Sequence, residues 1–434
     1  MNPYKRKNVI YTKTEQRLLE KMANIDIIDC HEHLPPETER LKRQEDVFTL
    51  FSHYTRLPLF ASGLSPDDKE SLHNPEIPLE KRWRIFRPHL QNIRFTSYAR
   101  AAFITAEEIY GFDDINDHTY KDLSIKIAEM NKPGIYAHIF NHCRIRAAIT
   151  QCSSTDVEVP LIPVMDGYRL SMIRTKVQLE ELEKQTGVSC KTLEDLEELC
   201  RQMLEKWERE GAVGIKLFSK TNTPPDLSLA RKSFKCLIAG KELLTDSYNY
   251  EPLENYLMHK IIDYATDLNL VIAMHSGVWG DFRNLAPQHM NTIAPQHPDA
   301  RFDLYHLGIP DIRAAIMVGA MQPNVWTNLC WVHIVSQEMT CAGINELLDL
   351  IPVNKILAFG GDYMRPVEKI VGHLQIAREN IARVLGARID HGKMGMEDAS
   401  KIIKKWFWEN PTKLYNKIVL EKKTENPETG SRSL

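Results

Sequence analysis

Eight strand-like runs, most of them separated by helical patterns, predict an α/β chain closed as a TIM (β/α)8 barrel with a helical insertion after the first strand. Two further observations support closure into a barrel. No glycine-rich phosphate turn follows any of the strands, as an open doubly wound sheet that binds nucleotides would show. The residues able to hold a metal or move a proton fall where strands end, the mouth at which barrels of this kind carry their chemistry.

The elements follow in order. A helical lead-in, Thr14 to Met22, precedes the first strand, Ile27-Ile28-Asp29-Cys30-His31-Glu32-His33. Pro35-Pro36 then stops any regular element. Residues 35–118 are too long for a bare loop and rich in aromatics and arginines, so they are expected to carry helices of their own, with Glu45–Arg56 and Leu79–Asn92 as pieces. A helix is expected around Tyr120–Phe140, then a second strand at Ile145–Thr150 and a third at Pro160–Val164 that ends at Asp166. Residues 174–210 read as two helices broken near Gly187; the second starts at a Thr192 cap and places Leu193, Leu196, Leu199, Cys200, Met203, Leu204 and Trp207 at helical spacing. The fourth strand is Val213–Phe218 and contains Lys216. A helix at Leu253–Leu268 leads to a strand, Leu270–Met274, ending at His275, and Arg301–Tyr305 ends at His306. Pro310–Ala320 suits a helix with proline in its first turn. Val325–Leu329 is the seventh strand, Asn345–Ile351 a helix, and Lys355–Phe359 the eighth strand, ending in Gly360-Gly361-Asp362. Helices at Val367–Leu385 and Glu397–Val419 complete one domain spanning 1–434, with a loose polar tail over 421–434.

Composition narrows the class. The 434 residues are 43% hydrophobic and 26% charged, with a net charge of −3, so bulk charge points to neither nucleic acid nor membrane. No run approaches the ~20 apolar residues of a membrane span, and residues 1–7 lack a secretory core. The eight cysteines form no Cys-x-x-Cys pair and read as reduced thiols. A cytoplasmic homo-oligomer whose partner is a small anionic molecule is the expectation.

The chemistry starts at His31 and His33. Residues i and i+2 of a strand share a face, so both imidazoles point one way and Glu32 the other. Each candidate taken alone has an ordinary explanation: a satisfied core histidine, an ion-paired lysine, an aspartate capping a helix. Their coincidence at strand ends does not. A divalent ion, expected to be zinc, would be held by His31, His33, His275 and Asp362, leaving an open position for water. Asp362 would also accept the proton of that water, and His306 would polarise the substrate or assist the leaving group.

This pattern resembles the amidohydrolase superfamily: His-x-His on the first strand, histidines closing the fifth and sixth, aspartate closing the eighth. The resemblance implies metal-dependent hydrolysis of amides, esters or lactones, with decarboxylases and isomerases as divergent branches. The insertion at 35–118, the helical pair before the fourth strand, and His275-Ser276-Gly277 followed by Arg283-Asn284 resemble uronate isomerases. Thr150-Gln151-Cys152 and Asn328-Leu329-Cys330-Trp331 depart from that branch, and Gly361-Asp362-Tyr363 looks like its hydrolase and decarboxylase relatives. The expected activity is therefore hydrolysis of a small carboxylate-bearing substrate, with uronate aldose–ketose isomerisation or non-oxidative decarboxylation as alternatives. Arg283, Trp279, Tyr363 and Arg87 are the substrate-binding candidates, with Arg84, Arg94 and Arg100 as further insertion arginines. Two-metal members of the superfamily carbamylate a lysine on the fourth strand; here Lys216 and His306 would then join the ligands, although one ion is favoured.

Overall fold

A computed structural model of the chain describes residues 9–157, 160–220, 223–241, 250–278 and 281–420. Within them run eight strands: β1 (Ile27–Glu32), β2 (Ile145–Cys152), β3 (Leu161–Met165), β4 (Gly214–Phe218), β5 (Val271–His275), β6 (Phe302–Tyr305), β7 (Val325–Asn328) and β8 (Ile356–Leu357). Each is parallel to the next in sequence order. The seam closes where the Cys30 N–H donates to the Phe359 carbonyl at 3.0 Å and the Asp362 N–H to the His31 carbonyl at 2.8 Å. The TIM barrel expected from the alternating pattern is the fold.

Alternation along the strands sorts the core. Ile28 and Cys30, Ala147 and Ile149, Val271 and Ala273 share an inner cluster with Tyr305 and Leu357, while their neighbours Ile27, Ala148, Ile272 and Met274 face the surrounding helices. Leu414 and Tyr415, from the C-terminal segment, belong to the inner cluster. The helices start and stop where their caps dictate. Gly187, at φ 77°, ends Lys176–Thr186, and Thr192 and Asp195 form a capping box ahead of Leu193–Arg209, whose buried stripe is the expected one.

The segment between β1 and β2 folds into helices, among them Val47–Phe51, Arg56–Ala61, Pro66–His73, Leu79–Ile93 and Ser97–Glu108. They enclose a separate cluster of Val47, Phe48, Phe51, Trp83, Phe86, Leu90 and Phe103. That cluster explains how so long an excursion stays ordered. The insertion docks on the long helix Lys369–Asp390, and Gly372 lies so close that a Cβ there would stand 2.0 Å from the Ala101 carbonyl oxygen. A buried Arg40–Glu368 pair at 3.0 Å spans the same junction.

Three sequence expectations need correction. The Tyr120–Phe140 helix is two, Tyr120–Met130 and Ile135–Cys143, because Gly134 takes φ 93° between them. Pro310 precedes its helix, Ile312–Met321, rather than opening it. The C-terminal helix is three short pieces within Met396–Leu414, the middle one a π-helical turn at Lys405–Glu409. Among the described residues no helix is long and apolar enough to cross a membrane. The loose tail expected over 421–434 lies outside the described residues.

Candidate metal centre

β1 ends in His31 and Glu32, where its register with β2 becomes irregular between Asp29 and Glu32, and the Nε2 atoms of His31 and His33 both lie 3.3 Å from Asp362 Oδ1. Asp362 reaches them through Gly360-Gly361, two positions where a side chain cannot fit. A Cβ on Gly360 would stand 2.8 Å from the His31 amide nitrogen, and one on Gly361 would stand 1.9 Å from Glu32 Oε1. Glu32 points away from the histidines and accepts the Tyr363 N–H at 2.6 Å, so it pins the loop that carries Asp362. Asp29 adds a second tie, accepting from the His31 and Gly361 amides at 3.2 Å each.

The remaining strand ends converge on this pair. The rings of His31 and His306 have centroids 5.4 Å apart, and those of His275 and His306 4.6 Å apart. His31, His306 and Asp362 offer ligand atoms all within 4.8 Å of one another. His306 Nδ1 lies 3.3 Å from the Cys330 carbonyl; donating there leaves Nε2 as a lone pair, the tautomer that binds metal. Burial pushes His31 and His275 well below the usual histidine range and His306 down to about 3, so all three imidazoles are neutral at ordinary pH. His31 Nε2 and Asp362 Oδ1 are buried and make no hydrogen bond. Facing nitrogen and oxygen acceptors with no donor between them fit a divalent cation of zinc type.

The backbone carries strain at the same place. His53, His306, Trp331 and Asp362 take φ of 58°, 67°, 66° and 59°, a region costly for residues with a side chain. These four of the seven such non-glycine residues among those described belong to the histidine cluster or pack beside it, whereas Arg144 and Asn269 lie elsewhere.

A cavity of roughly 410 Å³ opens over the site and is lined by His31, His33, His275, His306, Asp362 and Lys216, together with residues that sequence reasoning had not singled out. Tyr54, from the insertion, donates its hydroxyl to Asp362 Oδ2 at 2.7 Å. His53 and Arg56 flank it, and Arg169 lies at the rim, bonded to Asp166 at 3.0 Å. Gln151, near the end of β2, donates to the other Asp166 oxygen at 2.7 Å. Arg169 had a signal, since it follows the Asp166 that closes β3. Tyr54 had none, because 308 residues separate it from its partner.

The expected substrate contacts are placed elsewhere. Arg283 is 82% exposed and paired with Asp281, and Arg87 is half exposed on Asp117, so neither guanidinium lines the cavity. Asp281, two residues away, captured Arg283, and Asp117, thirty residues away, captured Arg87. Arg94 pairs with Asp114, Arg100 pairs with Glu379, and Arg84 lies on the exposed face of its helix. Tyr363 is buried with its hydroxyl away from the cavity lining, because alternation past Asp362 turns it into the core. Trp279 lies outside the described residues.

Comparison with known proteins agrees with the barrel fold. The amidohydrolase family model matches residues 183–417, more than half of the chain. The chain is similar to the solved uronate isomerase of Thermotoga maritima, at 15% identity and TM-score 0.78, covering 96% of this chain and 99% of that one. It is also similar to the glucuronate isomerase of Caulobacter crescentus, at 15% identity and TM-score 0.76, covering 93% and 94%. A stretch of 193 residues is 23% identical to the protein fluG of Emericella nidulans, covering 42% of this chain and only 22% of that longer protein.

Proposed function

The chain belongs to the amidohydrolase family, and on that premise we propose that it is a metal-dependent hydrolase of a small carboxylate-bearing substrate with an amide, ester or lactone bond. The observation that supports this most is the buried His31–Asp362 pair, whose facing acceptors need a cation, at the floor of a cavity rimmed by Arg56 and Arg169.

His31, His33 and Asp362, with His306 or His275, would hold the ion. A bound divalent ion polarises a carbonyl and lowers the pKa of coordinated water towards ~7. Asp362 takes a proton from the attacking water and returns it to the leaving group. Tyr54 holds Asp362 Oδ2 and so fixes the direction in which the carboxylate exchanges that proton. His306, with Nδ1–H turned to the Cys330 carbonyl, serves as a ligand rather than a proton donor. Arg169 and Arg56 supply positive charge for the substrate carboxylate, the task sequence reasoning had assigned to Arg283 and Arg87.

One observation favours a second reading, aldose–ketose isomerisation of a uronate. The similarity to uronate isomerases runs along nearly the whole chain and includes the insertion. In that reaction Asp362 would move a proton between neighbouring oxygen and carbon atoms of the open-chain sugar acid. A panel of carboxylated amides, esters and lactones, assayed beside D-glucuronate and D-galacturonate in heavy water, tests the proposal. Hydrolysis of a panel member with uronates unchanged supports it. Uronate turnover with deuterium on carbon, and no hydrolysis, replaces it with the isomerase.

A further inference from the structure

Lys216 stands inside the barrel, between Ile215 and Leu217, which face the outer helices. Its ammonium lies 3.9 Å above the centre of the Tyr305 ring. That ring is fixed: the Tyr305 hydroxyl lies 3.3 Å from both the Cys30 carbonyl and the Tyr415 hydroxyl, and Tyr415 donates to Asp303 at 2.7 Å. Lys216 is 1% exposed and lines the cavity beside His31, His275, His306 and Asp362, and its Nζ has no hydrogen-bond partner among the described residues.

We propose that Lys216 is a free amine whose Nζ binds an anionic oxygen of the substrate at the floor of the cavity, and is not a carbamylated bridge between two metal ions. This rests on the metal-dependent reading above. Three observations carry it. A buried ammonium facing a cavity with no acceptor is completed by an anion entering that cavity. The face of an aromatic ring attracts a cation and repels an anion, so Tyr305 stabilises the ammonium and would oppose a carbamate. Among the described residues the ligand atoms gather in one place, His31, His306 and Asp362 with His33 beside them, which suits one ion. The substrate class follows: a small carboxylate with one oxygen directed inwards, towards Lys216, rather than held only at the arginine rim.

The test uses the metal-loaded full chain, Lys216→Met and oxalate as the anionic probe, with metal content measured before and after titration. The wild type, equilibrated with carbon-13-labelled bicarbonate, is examined by NMR for a carbamate signal; this arm needs no variant to fold. The proposal expects no carbamate signal, equal metal content in both proteins, and oxalate affinity about 10- to 100-fold weaker in Lys216→Met. A carbamate signal, with metal lost from the variant, overturns it. Equal oxalate affinity in the two proteins, or no oxalate binding by the metal-loaded wild type, also overturns it. If the wild type holds no metal, the reading beneath has failed instead.

Discussion

Asp362 sits between three demands: the His31–His33 pair on one oxygen, Tyr54 on the other, and its own left-handed backbone after Gly360-Gly361. Asp362→Asn keeps the shape and removes the base, so turnover of the identified substrate should fall about 10²- to 10⁴-fold while the far-ultraviolet spectrum is unchanged. Tyr54→Phe, which removes one hydrogen bond to a charged group, should lower kcat roughly tenfold or more with little loss of metal. An unchanged kcat in Tyr54→Phe would leave that tyrosine a packing residue. The arginines give a paired comparison: Arg169→Met should raise KM about tenfold, whereas Arg283→Met, with its exposed salt bridge, should leave KM unchanged. A reversed result would restore Arg283 as the carboxylate contact. Sequence pattern brought His31, His33, His275, His306 and Asp362 to one cavity because each lies at or just beyond a strand end, and a strand end in a barrel has a known destination. It misplaced Arg283 and Arg87 because a guanidinium's destination depends on which carboxylate lies nearest: Asp281 stands beside Arg283 in the sequence, and Asp117 reaches Arg87 from thirty residues away.

At the scale of elements, the junction between the insertion and the Lys369–Asp390 helix controls how Tyr54 and His53 reach the mouth. Gly372 makes that approach possible by lacking a side chain. Gly372→Ala should therefore destabilise the protein by about 1–3 kcal/mol despite alanine's better helix propensity, seen as a lower Tm. A rise in Tm would show that the junction yields freely. The strands and most helices were legible because their apolar periods are regular and their caps explicit, as at Thr192 and Gly187. The breaks were not. Pro133-Gly134 carries a turn signal that the apolar period around it masked, and the π-turn at Lys405–Glu409 has no signature in residue spacing.

Over the whole molecule, the barrel isolates charge from water in several places, and this shapes stability as well as chemistry. Lys369 is buried with its amine on Thr55 at 2.7 Å, and burial draws it down to about 7. The unfolded chain keeps a lysine protonated to about 10.4. Between these values the unfolded state binds the extra proton, so this residue makes stability rise with pH across that window, and its cost is greatest below it. Lys369→Met should be more stable than wild type in urea near pH 7, with the advantage shrinking towards pH 10; an advantage that does not change with pH would contradict the assignment. The central claim remains that the strand ends hold a catalytic divalent ion. The most direct test is divalent metal per chain in protein purified without chelator, for the wild type and for His31→Ala/His33→Ala together. Close to one ion per wild-type chain, and loss of that ion in a folded double variant, is the expected result. A folded wild type without metal, or a double variant that retains it, would rule out a metal held at these strand ends.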